Sequence, residues 1–166
     1  MSVSADIWRS WRRPQRVMRD LLAQGQREDR ALVFLMVACG LIFLAQWPRL
    51  ARQAQLDAEV PLQAMIGGAL LGWFFFAPLI FYALAAVLRL VLVAVRLPVS
   101  WYAARLALFW ALLAVSPLWL LHGMVAGLAG PGVLTAAVGL VVLGAFFWIL
   151  GAGLVAAALE ARGRRA

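Results

Sequence analysis

The chain has 166 residues, of which 66% are hydrophobic and 13% are charged, and its mean hydropathy is +0.93. A soluble domain has about 45–50% apolar and about 25% charged residues, so this composition excludes a soluble globular protein and identifies an integral membrane protein. The net charge is +8, and all 15 basic residues are arginines that flank apolar segments. This arrangement favours a membrane surface as the partner and excludes nucleic acid.

Residues 1–30 form a polar, arginine-rich head, which is too long and too acidic for the basic start of a cleaved signal peptide. After Pro14, which suits the first turn of a helix, Val17, Met18 and Leu21 share one helical face. This pattern predicts an amphipathic helix with its apolar side in the acyl boundary and its arginines toward anionic lipid headgroups. The alternative is a solvated helix docked on a partner. The arginines assigned to the membrane surface are Arg9, Arg12, Arg13, Arg16 and Arg19.

Four apolar stretches are long enough to cross a bilayer, for which about 20 residues suffice. The predicted spans are residues 31–47, 62–88, 105–127 and 133–159. The first span is expected to stop at Pro48 and to be followed by a polar loop, and a basic tail over residues 160–166 closes the chain. The predicted fold class is all-α: an integral membrane bundle of four helices, preceded by the amphipathic helix of the head.

Small residues within the spans predict where helices pack closely. The residues expected to mediate this packing are Gly68, Gly72, Ser116, Gly123, Gly127, Gly144 and Gly151. In the last span, small residues recur every seven positions, at Ala137, Gly144, Gly151 and Ala158. That spacing is typical of one seam of a left-handed helix pair. Pro78 and Pro117 each free a carbonyl four residues earlier and are expected to kink their helices.

The distribution of arginines predicts the orientation. With four spans, the head, the loop at residues 89–105 and the tail share one side, and they hold seven, three and three arginines. The other side has only Arg49 and Arg52. Because basic residues are retained in the cytoplasm, we expect both termini there.

The sequence shows no nucleotide-binding loop, no metal-ligand spacing and no nucleophile–base pair, so we expect neither an enzyme nor a cofactor or metal. His122 is the ionisable residue deep in a predicted span, which makes it a candidate to ligate a pigment or haem or to relay a proton. The alternative, which we favour, is a hydrogen bond to a loop carbonyl at the rim. Asp57 and Glu59 supply two carboxylates but no further cation ligands. The lone Cys39 excludes an internal disulfide and is expected to be a packing residue.

Several segments between about residues 10 and 155 carry a resemblance to a known family. They are Arg13–Met18 in the head, Gln26–Leu32 before the first span, Ala45–Arg49 at its end, and Ala104–Ala111 followed by Ser116-Pro117. Together they resemble the bacterial members of the Yip1 family of small multi-span membrane proteins. Eukaryotic members carry an Asp-Leu-Tyr-Gly-Pro motif and typically five spans, whereas this sequence has neither. The resemblance implies a non-enzymatic protein that organises or contacts other components of the bacterial inner membrane.

Three functions remain open at this point. The first is a Yip1-like organiser that acts through helix packing and the basic head, with the bilayer, other membrane proteins or a second copy as partners. The second is an accessory or assembly subunit of a larger inner-membrane complex, respiratory or photosynthetic, which exposed aromatic residues within the spans would favour. The third is a small transporter or channel. It needs polar residues near the midplane, where the spans offer Ser116, Thr135 and little else.

Overall fold

The computed structural model describes residues 3–56 and 60–163, and its regular structure within these ranges is entirely helical. The helices are α1 (Val3–Arg12), α2 (Pro14–Ala23), α3 (Glu28–Leu56), α4 (Leu62–Leu71), α5 (Ala77–Ala94), α6 (Trp101–Ala129) and α7 (Val133–Gly163), with a π-helical turn (Gly72–Phe76) that joins α4 to α5. Four stretches of the described chain are long and apolar enough to cross a membrane: α3, α4 with α5, α6, and α7. The prediction of an all-α membrane bundle with four spans is therefore confirmed.

Helix α6 forms the centre of the bundle. From Tyr102 to Ser116 every residue is buried except Arg105, which is partly exposed. A helix that is apolar on all sides is typically surrounded by other elements. Here α3 and α7 pack along α6, and α5 and α1 add further contacts. We call the end of the bundle at which α6 begins the head end, because α1 and α2 lie there too.

Toward the opposite end, α3 and α6 approach each other at backbone distance. A Cβ at Gly123 would overlap the carbonyl oxygen of Ala45, and a Cβ at Gly127 would overlap Pro48. Glycine is therefore the only residue that fits at either position without moving α3. Such close approach maximises dispersion contacts between helices that have no hydrophobic driving force in lipid.

Ser116 lies on the same stripe of α6 and is 1% exposed. Its hydroxyl donates a 2.8 Å hydrogen bond to the carbonyl of Leu113. Pro117 has no N–H to offer that carbonyl, so the serine side chain replaces the missing helical hydrogen bond.

The loop expected to begin at Pro48 is wrong, because α3 continues through Pro48 to Leu56. Proline is tolerated in a membrane helix where neighbouring groups compensate for it. The extension places Arg52 over the last turn of α6, where its guanidinium donates to the carbonyls of Gly127 at 3.3 Å and Leu128 at 3.0 Å. A cation at the negative end of a helix dipole is stabilising, and this contact supports the longer helix.

The second span lies at the periphery of the bundle, and most of it is exposed. Its π-helical turn comes just before Pro78, which leaves the carbonyl of Phe74 without its helical donor. A π-helical turn at this place is a common way for a long helix to accommodate such a break.

Four of the glycines assigned to helix packing have no neighbour in the described chain. A Cβ at Gly68, Gly72, Gly144 or Gly151 would meet no atom of another element within 4 Å. Their role in packing therefore stays a prediction, and the partner they would pack against lies outside the described residues.

We expect Gly123→Val to destabilise the bundle by about 1–3 kcal/mol, the usual cost of overpacking. The added side chain would clash with backbone atoms of α3, which cannot rotate away. The matched control is Gly144→Val, which has the same effect on helix propensity but meets no neighbour. Thermal unfolding in mild detergent, followed by tryptophan fluorescence, compares the two. Equal melting temperatures would contradict the close α3–α6 contact.

Candidate functional site

At the head end, α1 and α2 follow each other around a bend at Arg13, and we call this pair of helices the hairpin. Only Arg13 separates them, and Pro14 opens α2 at a position where its fixed φ and missing N–H cost nothing. Arg9 joins the two arms, because its guanidinium donates to Asp6 at 3.0 Å and to Asp20 at 3.2 Å. These partly exposed ion pairs contribute little to stability, about 0.2–1 kcal/mol each, but they fix the arms relative to each other.

The apolar face of α2 packs on the bundle itself. Val17 and Met18 are each 1% exposed, and Leu21 is buried as well. Met18 fills a notch on α7, where a Cβ at Gly153 would lie 3.7 Å from the Met18 Cγ and 3.5 Å from the Ala107 Cβ of α6. The expectation that this face lies among acyl chains is therefore wrong. The alternative was a helix docked on a partner, and here α6 and α7 of the same chain are that partner.

A buried hydrogen bond fixes α1 to the centre of the bundle. The indole Nε1 of Trp110, a residue 2% exposed, donates to the hydroxyl of Ser10 at 3.0 Å. Ser10 is fully buried and donates in turn to the backbone carbonyl of Asp6 at 2.8 Å. Phe34 of α3 meets the Trp110 ring edge-on at 5.0 Å. Since a buried indole N–H is costly without an acceptor, Ser10 holds α1 in its docked position.

Two further arginines are engaged within the chain at the head end. The guanidinium of Arg30 donates to the carbonyl of Leu21 at 2.9 Å and to the hydroxyl of Tyr102 at 3.2 Å, which ties α2 and α3 to α6. Arg105 pairs with Glu28 at the start of α3. These contacts make the head end a single packed unit.

Four arginines of the hairpin remain exposed: Arg12, Arg13, Arg16 and Arg19. Among the residues that the structure describes, no carboxylate forms an ion pair with any of them. Arg9, which the sequence grouped with them, differs because Asp6 and Asp20 neutralise it. The four line one wall of an open cavity of about 620 Å³, which we call the arginine groove.

The facing wall of the arginine groove is the outer face of α7 between Phe147 and Val155. Phe147 and Trp148 are 59% and 64% exposed, so they are free to contact lipid or another protein. Between Trp148 and Val155, the small residues Gly151 and Ala152 leave a shallow depression that we call the trough. The groove therefore combines fixed positive charge on one side with an apolar surface on the other.

His122 lies near the end opposite the head end, where the sequence analysis expected it. Trp119 meets its ring edge-on at 5.8 Å, and its Nε2 would lie 3.3 Å from a Cβ at Gly139 of α7. It borders a cavity of about 400 Å³ that Arg49, Arg52 and Thr135 also line. This places it at the rim, among arginines and away from the arginine groove.

Potential metal ligands do not cluster in the described chain, which contains no group of three or more His, Cys, Asp and Glu side chains able to hold an ion. Cys39 is free and buried within α3. Asp57 and Glu59, the two carboxylates considered for a cation, lie outside the described residues.

Sequence reasoning missed the docking of the hairpin, although one signal for it was present. The seven-residue spacing in the last span drew attention to Gly144 and Gly151. The buried small residues of α7 are Gly153, Ala156, Ala157 and Ala158, and only Ala158 belongs to that series. Ala156 and Ala157 lie three and four residues after Gly153. Such a stripe marks the face of a helix that receives a neighbour.

We expect Ser10→Ala to loosen the hairpin, because it leaves the Trp110 indole N–H buried without an acceptor at a cost of about 1–3 kcal/mol. Hydrogen exchange of the α1 and α2 amides in mild detergent should become roughly 5- to 100-fold faster if opening of the hairpin controls exchange. Ser4→Ala, at an exposed position of the same helix, is the control. Identical exchange in the two variants would show that this hydrogen bond does not hold the head.

Comparison with known proteins adds no relative. No protein-family model matches the chain, and neither a curated protein nor a solved structure matches it. The geometry of the head end is thus the basis on which a function is proposed.

Proposed function

We propose that this chain is a non-enzymatic, Yip1-like protein of a bacterial inner membrane that contacts other membrane components. In this proposal the hairpin α1–α2 presents its arginines to anionic headgroups of the cytoplasmic leaflet, and both termini lie in the cytoplasm. The exposed faces of the spans contact other membrane proteins or a second copy of the chain. The orientation is supported by the excess of arginines in the head, in the loop at residues 89–105 and in the tail.

The observation that carries the proposal is the set of four exposed guanidiniums in the arginine groove, none of which forms an ion pair within the described residues. The apolar face of α2 is already buried in the bundle, so these arginines are not needed to orient an interfacial helix. Holding four like charges within eight residues costs electrostatic energy, which an anionic surface turns into attraction. Each basic residue near such a surface contributes about 1 kcal/mol.

The chemistry of the site favours binding over catalysis. Guanidiniums keep their charge and offer paired hydrogen bonds to phosphate or carboxylate oxygens, which makes them recognition groups. The side chains across the groove, from Phe147 to Val155, are apolar and supply contact area. A surface of this kind selects and positions an anionic partner.

We expect the protein to enrich anionic lipids around itself in the membrane. Particles excised from native membranes with a lipid-solubilising polymer should contain a larger anionic fraction than the bulk membrane, measured by lipid mass spectrometry. Replacing four groove arginines with glutamine should abolish most of this enrichment, because it removes about 4 kcal/mol of favourable electrostatics. The substitutions are Arg12→Gln, Arg13→Gln, Arg16→Gln and Arg19→Gln.

The control removes the same charge from exposed arginines elsewhere in the described chain. Its substitutions are Arg27→Gln, Arg49→Gln, Arg96→Gln and Arg162→Gln. Retained enrichment in this control assigns the effect to the groove. A wild-type particle with the lipid composition of the bulk membrane would refute the lipid-contacting function.

An accessory subunit of a larger inner-membrane complex is the second candidate, and a different surface favours it. In the peripheral second span, Phe75 is 69% exposed and Phe76 is 56% exposed. Gly68 and Gly72 of the same span have open space where another helix would fit. Aromatic and small residues side by side are a surface on which helices associate in lipid.

A pull-down of the tagged protein in gentle detergent, followed by a native gel and mass spectrometry, separates these two functions. A single partner at fixed stoichiometry would identify a subunit, and Gly68→Leu should then weaken the complex. A self-oligomer, or a lipid-rich particle without a fixed protein partner, would support the organiser. Gly144→Leu on α7 is the control for a bulky residue on a different exposed face.

A further inference from the structure

The arginine groove has the polarity of a single amphiphilic molecule. One wall carries the guanidiniums of the hairpin, and the other is the aliphatic and aromatic face of α7. The two walls face one cavity of about 620 Å³, within the range of about 300–1,000 Å³ that is typical of small-ligand sites. A ligand that fits both walls needs a negative group joined to a hydrocarbon chain.

The depth of the groove fits a lipid better than a soluble anion. Val155 lies seven residues from Arg162, the last charged residue of α7 that the structure describes, which is about 10 Å along the helix. Phe147 lies a further eight residues in, or about 12 Å. The apolar wall of the groove thus extends along a membrane-spanning helix away from its charged end, where an acyl chain can cover it and a soluble anion cannot.

The trough at Gly151 provides space for the acyl chain of such a lipid. No atom of another element lies within 4 Å of where its Cβ would be, although the helix on either side carries larger residues. The trough is open toward the same side as the exposed ring of Trp148. An acyl chain laid along α7 would fill it and contact both residues, whereas an acidic peptide would leave its polar backbone against this apolar wall.

We propose that the arginine groove is a specific site for one phospholipid that carries two phosphates in its headgroup. The phosphates lie against Arg12, Arg13, Arg16 and Arg19, and one acyl chain runs along α7 over Gly151. This inference rests on the proposed lipid-contacting function and narrows it from a charged surface to a single bound molecule.

The arrangement of the four arginines is the reason for two phosphates. Arg12 and Arg13 lie at the turn of the hairpin, whereas Arg16 and Arg19 lie on successive turns of α2. A guanidinium binds a phosphate with two parallel hydrogen bonds, so one phosphate is saturated by two of them. Four guanidiniums therefore supply the hydrogen bonds that two linked phosphates need. Basic pockets beside membrane helices on the cytoplasmic side are known to bind such headgroups.

Native mass spectrometry of the full chain in a non-ionic detergent tests the site. The probe is diphosphatidylglycerol, compared with phosphatidylglycerol at twice the concentration and with inorganic phosphate. We expect one retained diphosphatidylglycerol molecule per chain, lower occupancy with phosphatidylglycerol, and no displacement by inorganic phosphate. The four-glutamine variant of the groove should lose the bound lipid, by about fivefold in affinity for each arginine removed.

The decisive variant is Gly151→Leu, which fills the trough and leaves every arginine in place. It should weaken binding of diphosphatidylglycerol about tenfold, the effect of displacing roughly two methylene groups from apolar contact. The control is Gly144→Leu, seven residues deeper on the same face of α7 and not part of the groove. Neither position has a neighbour within 4 Å, so both variants should fold.

Three results would overturn the site: wild-type affinity in Gly151→Leu, equal occupancy by the two lipids, or displacement by inorganic phosphate. If any of these occurs while the native particles remain enriched in anionic lipid, the specific site is wrong and the charged-surface function stands. If the native particles show no enrichment, the proposed function fails as well. The two failures are therefore distinguishable.

Discussion

The buried N–H of Trp110 is the constraint on which the head end depends. Its indole lies on a helix that is surrounded by apolar side chains, at a depth where water does not supply an acceptor. Ser10, 100 residues earlier in the chain, supplies one. That contact fixes α1 against α6, and α2, which follows after Arg13 alone, packs against α7. The backbone positions of the hairpin arginines depend on this hydrogen bond together with the packing of Met18 against α7.

The number of spans and the helical class were predictable because they depend on local properties. Each span is a run of apolar residues whose length matches a bilayer, and such a run needs no information about its neighbours. The passage of α3 through Pro48 was not predictable in this way. The contact that supports it is between Arg52 and the last carbonyls of α6, 75 and 76 residues away. Local signals at Pro48 indicate an end, and a distant partner reverses that outcome.

The candidate site shows the same division between local and distant information. The sequence displays the arginines and the apolar stripe of α2, and both were recognised. An apolar stripe has the same appearance whether acyl chains or a helix will cover it. The choice is made by the notch at Gly153 and Ala107, which Met18 fills. Small residues present a similar ambiguity: Gly123 and Gly144 both permit close approach, but only Gly123 has a helix of this chain against it.

Docking of the hairpin also changes what its arginines can do. A flexible basic segment loses conformational entropy when it binds an anion, and that loss offsets much of the electrostatic gain. In this chain the backbone of the segment loses its conformational entropy during folding. The burial of Met18 and the hydrogen bond of Ser10 offset that loss. The backbone of the four arginines is then fixed at one edge of the bundle before any anion arrives. Arginines on a docked helix pair gain selectivity as well as affinity, because the spacing of their backbone positions matches some headgroups and not others. The same residues on a disordered tail would respond only to the total charge of the surface.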